Sequence, residues 1–201
     1  GGYLEIDKSD LIKNIVEKPE QGKEPSNLVN LVVHIHKNSD VLVKYLEKAS
    51  SKKDDLYETA LAQMIKDGVK MKAVKYEGFW QPLKYPWHML SLMERFLAEQ
   101  KSGKPKNVSI AKTAVIHGNV YLDEGVRVLD HAVIQGPAYI GKNSVIATNA
   151  LVRESHIGAN CVIGFGSEVA RSYVGANVWT HSNYIGDSII GNDVSFGYGT
   201  V

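Results

Sequence analysis

From Asn107 onward an aliphatic side chain returns every six residues: Ile110, Ile116, Leu122, Val128, Ile134, Ile140, Ile146 and Val152. After one five-residue step come Ile157, Ile163, Val169 and Val174. Two residues before most of these stands a small or β-branched partner, namely Val108, Ala114, Val120, Val126, Ala132, Ala138 and Ala150. An aliphatic residue followed by glycine marks the same repeat at Ile140-Gly141, Ile157-Gly158, Val174-Gly175, Ile185-Gly186 and Ile190-Gly191. A hexapeptide period is the signature of a β-helix. Three steps close one triangular coil of about 17 to 18 residues, and coils stack through parallel ladders at ~4.8 Å, so this stretch holds about five coils. A β-sandwich would place turns every 8 to 12 residues or so, a looser spacing than this one. Residues 107–201 therefore read as an all-β left-handed parallel β-helix. Its glycines are expected in turns where φ is positive, a region that Asn119, Asn143, Asn160 and Asn177 also tolerate.

The first hundred residues have no such period. Residues 3–6 and 11–16 alternate as two short strands joined by the polar turn Asp7 to Asp10, and Pro19 ends the second. Asn27 to Ile35 is almost continuously apolar and predicts a buried strand. Asp40 to Lys48 predicts a helix with Ser39 as N-cap, and Asp54 to Lys66 a second one stopped by Gly68. Val69 to Tyr76 alternates as a strand. Pro86 opens a third helix with Trp87, Leu90, Met93 and Leu97 on one side. Gly103 and Pro105 punctuate a linker over 101–106. The fold class that follows is an α/β fragment over 1–100, the linker, and the β-helix over 107–201. No glycine-rich phosphate loop precedes the first strand, and the fragment reads as the tail of an α/β domain.

Composition changes the picture in three ways. With 23 Lys+Arg against 22 Asp+Glu, nothing marks a nucleic-acid binder. There is no 18-residue apolar run and no signal peptide at the start, so no membrane partner is expected. The single cysteine, Cys161, falls where a small core residue is wanted, and its solitude fits a reducing cytoplasm. His117, His131 and His156 recur at spacings that form no metal-binding column, so no metal ligand is assigned and all three are expected at the surface.

The ordered set Ile15-Val16-Glu17-Lys18-Pro19, Ser26-Asn27-Leu28-Val29-Asn30, Asp55-Leu56-Tyr57-Glu58-Thr59-Ala60-Leu61, Gly78-Phe79-Trp80 and Tyr85-Pro86-Trp87 resembles the second half of sugar-1-phosphate nucleotidyltransferases. Among these are NDP-sugar pyrophosphorylases that carry a β-helix behind a Rossmann-like catalytic domain. The resemblance covers essentially the whole chain. It implies that Glu17 binds sugar hydroxyls, Lys18 the sugar phosphate and Asn30 the sugar. The implied substrates are a sugar-1-phosphate and a nucleoside triphosphate, with Mg²⁺ serving the parent enzyme and the β-helices packing into a homotrimer. The family's nucleotide-binding half is expected to precede this sequence, and its metal-binding aspartate two residues after the tryptophan is here Pro82. Proline has no side-chain oxygen to complete a two-carboxylate clamp, so nucleotidyl transfer is not expected of this chain alone and no bound cofactor is expected on it.

A second chemistry lies in Thr180-His181-Ser182-Asn183-Tyr184-Ile185-Gly186-Asp187, where threonine interrupts the aliphatic repeat. This stretch resembles the acetyltransferase loop of bifunctional N-acetylglucosamine-1-phosphate uridylyltransferases and their archaeal relatives. The resemblance implies His181 as general base, Tyr184 as a substrate-binding residue and acetyl-CoA as donor. In the same families a β-helix also serves as a non-catalytic assembly module. Ala170-Arg171 and Ser195 depart from the acetyltransferase pattern, and the asparagine and lysines that close that site would follow Val201. Arg153 and Arg171 are candidates to face a phosphorylated sugar, against the plainer reading of solvated charge. Phe165 and Trp179 read as stacking or subunit-contact residues.

Overall fold

The computed structural model describes residues 2–200, which form two compact units that divide between Trp80 and Gln81. In the first unit β1 (Gly2–Ile6) and β2 (Ile12–Glu17) pair antiparallel, as their alternation predicts. Against them pack α1 (Ser39–Lys48) and α2 (Leu56–Lys66). Ile15, Leu61 and Met64 are the buried centre, with Leu4, Ile12, Val41, Leu42 and Tyr57 around it. The α1 cap is Asn38 rather than Ser39: the Asn38 carboxamide oxygen accepts from Asp40 N and Val41 N, satisfying two amides with no partner inside the helix. Gly68 ends α2 at φ +87° as expected.

Two strands expected here do not form. Within 27–35 only Val29 bridges Tyr3, and Asn30 N donates to Gly2 O. Val32 then turns to φ +58°, leaving Val33 at 83% and Ile35 at 94% exposure. An apolar run becomes a buried strand only where a neighbouring strand takes up its backbone groups, and no strand does so beyond Asn30 among the described residues. Residues 69–76 likewise keep one bridge, Leu11 with Lys72.

In the second unit the corner prediction holds. Leu122, Val128, Ile134, Ile140, Ile146, Val152, Ile157, Ile163, Val169 and Val174 all point inward and are buried, with Ala132, Ala138, Ala150 and Cys161 beside them. The coils build three parallel sheets. The first holds Val115–His117, Val133–Gln135, Leu151–Arg153, Glu168–Ala170 and Tyr184–Gly186. The second runs from Val120–Leu122 to Ile189–Ile190, and the third from Ser109–Ile110 to Val162–Ile163, prolonged by bridges through Trp179 and Ser195. The result is a parallel β-solenoid.

Helix α3 (His88–Glu99) belongs to this unit, so the 101–106 stretch is not where the units divide. The helix packs on the strand Tyr173–Val174 and buries Met93 and Leu97, while Gln100 Nε2 donates to Ala138 O at 2.7 Å. It starts after a turn at Tyr85–Trp87, where Trp87 stacks on Tyr85 and stays 61% exposed instead of joining the apolar side. Among the described residues no helix is long and apolar enough to cross a membrane.

Asn143, Asn160 and Asn177 sit at φ +59°, +56° and +58° as predicted, and each Nδ2 donates to the side chain one coil on, ending at Asp193. Asn119 does not share that region; its carboxamide ties Gln100 O and Ser102 to the first coils. Gly141, Gly158 and Gly175 also lack positive φ. A Cβ at Gly141 would lie 2.6 Å from the Gly158 carbonyl carbon, and one at Gly158 2.5 Å from that of Gly175. The glycines are there because backbones of successive coils meet at that corner.

His156 is half-buried instead of fully at the surface. Its ring lies between Tyr139 at 4.9 Å and Tyr173 at 4.8 Å, nearly parallel to both, in a column that begins at Tyr121. Burial holds its pKa below the usual imidazole value. The unfolded chain takes up the proton near the ordinary value of about 6.5 and the folded one resists. The stabilising term is therefore complete above that pH and is lost as pH falls through the depressed folded value. Replacing His156 by Phe keeps the stack and removes the titration. The variant's unfolding midpoint should fall less than that of the wild type between about pH 7 and pH 5; parallel curves would show that His156 carries no such term.

Candidate functional site

Thr180 takes the inward corner occupied by Ile110, Val128, Ile146 and Ile163 in earlier coils, and Asn183 takes the small-partner position held by Ala114, Ala132, Ala150 and then Ser167. Thr180, Asn183 and Ser167 are all buried, at 4%, 4% and 1% exposure. A polar group inside an aliphatic prism is destabilising unless it is paired, and here the pairing is complete. Thr180 Oγ1 accepts from Gly164 N at 2.8 Å. The Ser167 hydroxyl donates to His181 O at 2.5 Å and accepts from Asn183 N at 3.2 Å. Asn183 Oδ1 accepts from His181 N at 2.8 Å, and its Nδ2 donates to Gly197 O at 2.9 Å and Thr200 O at 2.8 Å.

These bonds hold a turn that is one residue shorter than the turn stacked on it. Trp179 pairs with Val162, seventeen positions apart, whereas Tyr184 pairs with Glu168, sixteen apart. The residue is lost between Trp179 and Tyr184. What reads in the sequence as an interruption is thus a tightened coil that keeps the ladder, with both backbone groups of His181 fixed from the interior. The His181 ring itself is exposed, as is Tyr184 at 48%. Tyr184 lies over Gly186, where a Cβ would come within 2.5 Å of its hydroxyl. The Tyr184 side chain stands near enough to the Arg171 guanidinium to favour its charged form.

The arginines beside this turn are already paired. Arg171 donates to both Asp187 oxygens, at 2.7 and 2.5 Å, which raises its pKa and lowers that of Asp187. Arg153 binds Glu168 at 2.8 Å. Phe165 and Trp179 are 62% and 60% exposed. Cys161 is fully buried, as expected of a core residue: its thiol donates to Gly175 O at 3.1 Å and burial pushes its pKa up. Of the polar trio only Thr180, at a corner of the repeat, was legible in the sequence; its pairing with Ser167 and Asn183 was not, since Asn beside a histidine reads as a turn residue. Counting the hexad through Val174 to position 180 is the signal that places Thr180 inside.

In the first unit Glu17 and Asn30 meet beside Gly2. A Cβ on Gly2 would lie 2.6 Å from Glu17 Oε2 and 3.7 Å from Asn30 Cβ. Lys18 follows with φ +46°. Glu17 also lines a cleft of about 290 Å³ between β2 and α2, with Asp55, Glu58, Thr59 and Lys66. Asn30 is buried, and its oxygen is oriented by Val32 N at 3.0 Å. Because that oxygen also faces His34 Nε2 at 3.1 Å, the ring must donate there and accept from Tyr57 Oη at its Nδ1, 2.7 Å away. The Tyr57 oxygen then accepts from His36 Nε2 at 3.0 Å. Burial lowers the His34 pKa, in keeping with a neutral ring. Asn30 Nδ2 is left buried and without a partner. Among the described residues no three His, Cys, Asp or Glu side chains gather as a metal site, and Pro82 brings no side-chain oxygen.

No protein-family model matches the chain. Over its whole length it is 32% identical to the bifunctional sugar-1-phosphate nucleotidylyltransferase/acetyltransferase of Sulfurisphaera tokodaii, of which it covers 49%. It is 34% identical to the bifunctional protein GlmU of Methanococcus maripaludis, again over its whole length, covering 48% of that protein. The chain thus spans about half the length of the curated relatives it matches, their C-terminal half. Among solved structures, the acetyltransferase domain of PglB from Neisseria gonorrhoeae aligns over 53% of this chain and 56% of that one, at 12% identity and a TM-score of 0.47.

Proposed function

From its kinship with the C-terminal half of bifunctional sugar-1-phosphate nucleotidylyltransferase/acetyltransferases, we propose that the solenoid of this chain transfers an acetyl group from acetyl-CoA to the amine of an amino-sugar phosphate. The observation that carries this reading is His181, an exposed imidazole on a turn whose backbone is clamped from the prism interior by Ser167 and Asn183. Imidazole exchanges protons near neutral pH and is the commonest general base. In the proposed step His181 takes a proton from the sugar ammonium. The freed nitrogen bonds to the thioester carbonyl carbon and gives up its second proton, the carbon–sulfur bond breaks, and the thiolate of CoA leaves and takes that proton, while the proton on His181 passes to solvent. Tyr184, beside the Arg171–Asp187 pair, is positioned to contact the sugar. Incubating the protein with acetyl-CoA and glucosamine-1-phosphate should release free CoA thiol and N-acetylated sugar phosphate in equal amounts. Release of neither would defeat the reading.

A second reading rests on the first unit. The meeting of Glu17 and Asn30 beside Gly2, next to Lys18, supports a role as the sugar-binding end of a Rossmann-like nucleotidyltransferase domain. A carboxylate and an amide donor sort hydroxyls while an ammonium meets phosphate. The unpartnered Nδ2 of Asn30 fits a ligand oxygen, and exposed Val33, Ile35 and Val74 fit a surface that more of such a domain would cover. On this reading UTP or dTTP with glucose-1-phosphate and Mg²⁺ gives no NDP-sugar from the 201-residue chain. We further propose that the solenoid, left-handed as in the hexapeptide reading, assembles as a trimer. A monomer mass by light scattering at micromolar concentration would remove that part.

A further inference from the structure

Building on the acetyl-transfer reading, we infer that Asn183, seconded by Ser167, is a positioning residue that sets the His181 imidazole for proton transfer through the main chain. Both positions lie in a column that earlier coils fill with alanine, at Ala114, Ala132 and Ala150. Alanine therefore fits there, and packing alone does not call for an amide. The carboxamide instead joins two places. Its oxygen holds His181 N, and its nitrogen holds Gly197 O and Thr200 O in the following coil. Ser167 reaches the same residue from the preceding coil through His181 O. The turn bearing His181 is thus bracketed by coils on both sides, and its two main-chain polar groups answer to two buried side chains. A similar buried hydroxyl, Ser172, bridges coils at the next corner, donating to Ala170 O and accepting from Ser188 N, without touching His181.

A catalytic side chain displaced by about 1 Å can lose on the order of 100-fold in rate, because proton transfer depends on hydrogen-bond geometry. In Asn183→Ala, kcat for acetyl transfer should fall roughly 10- to 100-fold with little change in KM for acetyl-CoA. The acidic limb of its pH–rate profile should move, and the His181 amide should lose hydrogen-exchange protection. Asn183→Asp keeps an acceptor for His181 N but sets a carboxylate against two carbonyl oxygens. It should retain amide protection better than the alanine variant while loosening the 197–200 segment. Ser167→Ala should shift kcat in the same direction, which keeps the test decisive if one variant folds poorly. Ser172→Ala should lower the unfolding temperature and leave kcat and the pH profile unchanged.

The outcomes separate the two ideas. If His181→Ala acetylates at the wild-type rate, the base assignment fails whatever Asn183 does. If His181→Ala is inactive while Asn183→Ala and Ser167→Ala keep the wild-type kcat and pH profile, the positioning inference fails and the base assignment stands. Equal kinetic losses in Ser172→Ala would likewise overturn it, by reducing the effect to loosened coils.

Discussion

Replacing His181 by alanine should lower acetyl transfer by about two to four orders of magnitude, the usual worth of a positioned general base, with no change in the thermal unfolding of the solenoid beyond about 0.5 kcal/mol. The two halves of this expectation come from different atoms of one residue. The imidazole is exposed and makes no hydrogen bond among the described residues, so its removal takes little from the fold. The His181 main chain carries the structural bonds, to Asn183 Oδ1 and from Ser167 Oγ, and alanine keeps both. Steady-state kinetics with acetyl-CoA and an amino-sugar phosphate, run beside calorimetry on the same samples, would measure both. A variant that is folded and still fast would remove His181 from the chemistry. One that is slow because it unfolds would show that the ring holds the turn, contrary to its exposure. Tyr184→Phe should be milder, since the Tyr184 side chain is exposed and a single polar interaction at the surface contributes little.

The corners of the prism were legible in the sequence because orientation alternates along a strand. Whatever stands six residues after Ile134 must face inward, whichever aliphatic it is. The same rule puts Thr180 at a corner, six residues after Val174, but leaves its pairing with Ser167 and Asn183 hidden. Side-chain chemistry obscured it: Thr, Ser and Asn satisfy turns as readily as they satisfy a polar core, and composition does not tell the two apart. His156 misled for a related reason. A lone histidine reads as exposed, and its burial depends on Tyr139 and Tyr173, each seventeen residues away and stacked on it only once the coil register is set. In the first unit local signals were correct where a partner strand is near, as in β1 with β2, and failed where no strand pairs among the described residues, as for Val33 and Ile35. Helix α3 shows the limit for unit boundaries. Gly103 and Pro105 do interrupt regular structure, but Met93 and Leu97 place the helix before them on the solenoid side.

The glycine column gives the sharpest stability expectation. Backbone freedom was the wrong reason for Gly141, Gly158 and Gly175; proximity is the right one, and the two reasons predict different mutants. At Gly158 a Cβ would come within 2.5 Å of the Gly175 carbonyl carbon and oxygen and 2.7 Å of Ala176 N, all main-chain atoms with no rotamer to yield. Relief requires the two coils to part by about 1 Å, and the ladder bonds at that corner, Gly158 N to Val174 O at 2.8 Å and His156 N to Ser172 O at 3.0 Å, lie in the way. Stretching one or both inside a buried corner costs about 1–3 kcal/mol each. Gly158→Ala should therefore destabilise the solenoid by about 3 kcal/mol or more and lower its melting temperature by roughly 10 °C. Gly191 occupies the same column position, has no positive φ, and meets nothing within 4 Å when a Cβ is added. Gly191→Ala should be neutral or stabilise by up to about 1 kcal/mol, because alanine narrows the unfolded ensemble. Calorimetry on the pair reads the contrast directly. Equal losses in both would mean that conformational freedom places these glycines, and a neutral Gly158→Ala would mean that the coils stand farther apart at this corner than the structure has them.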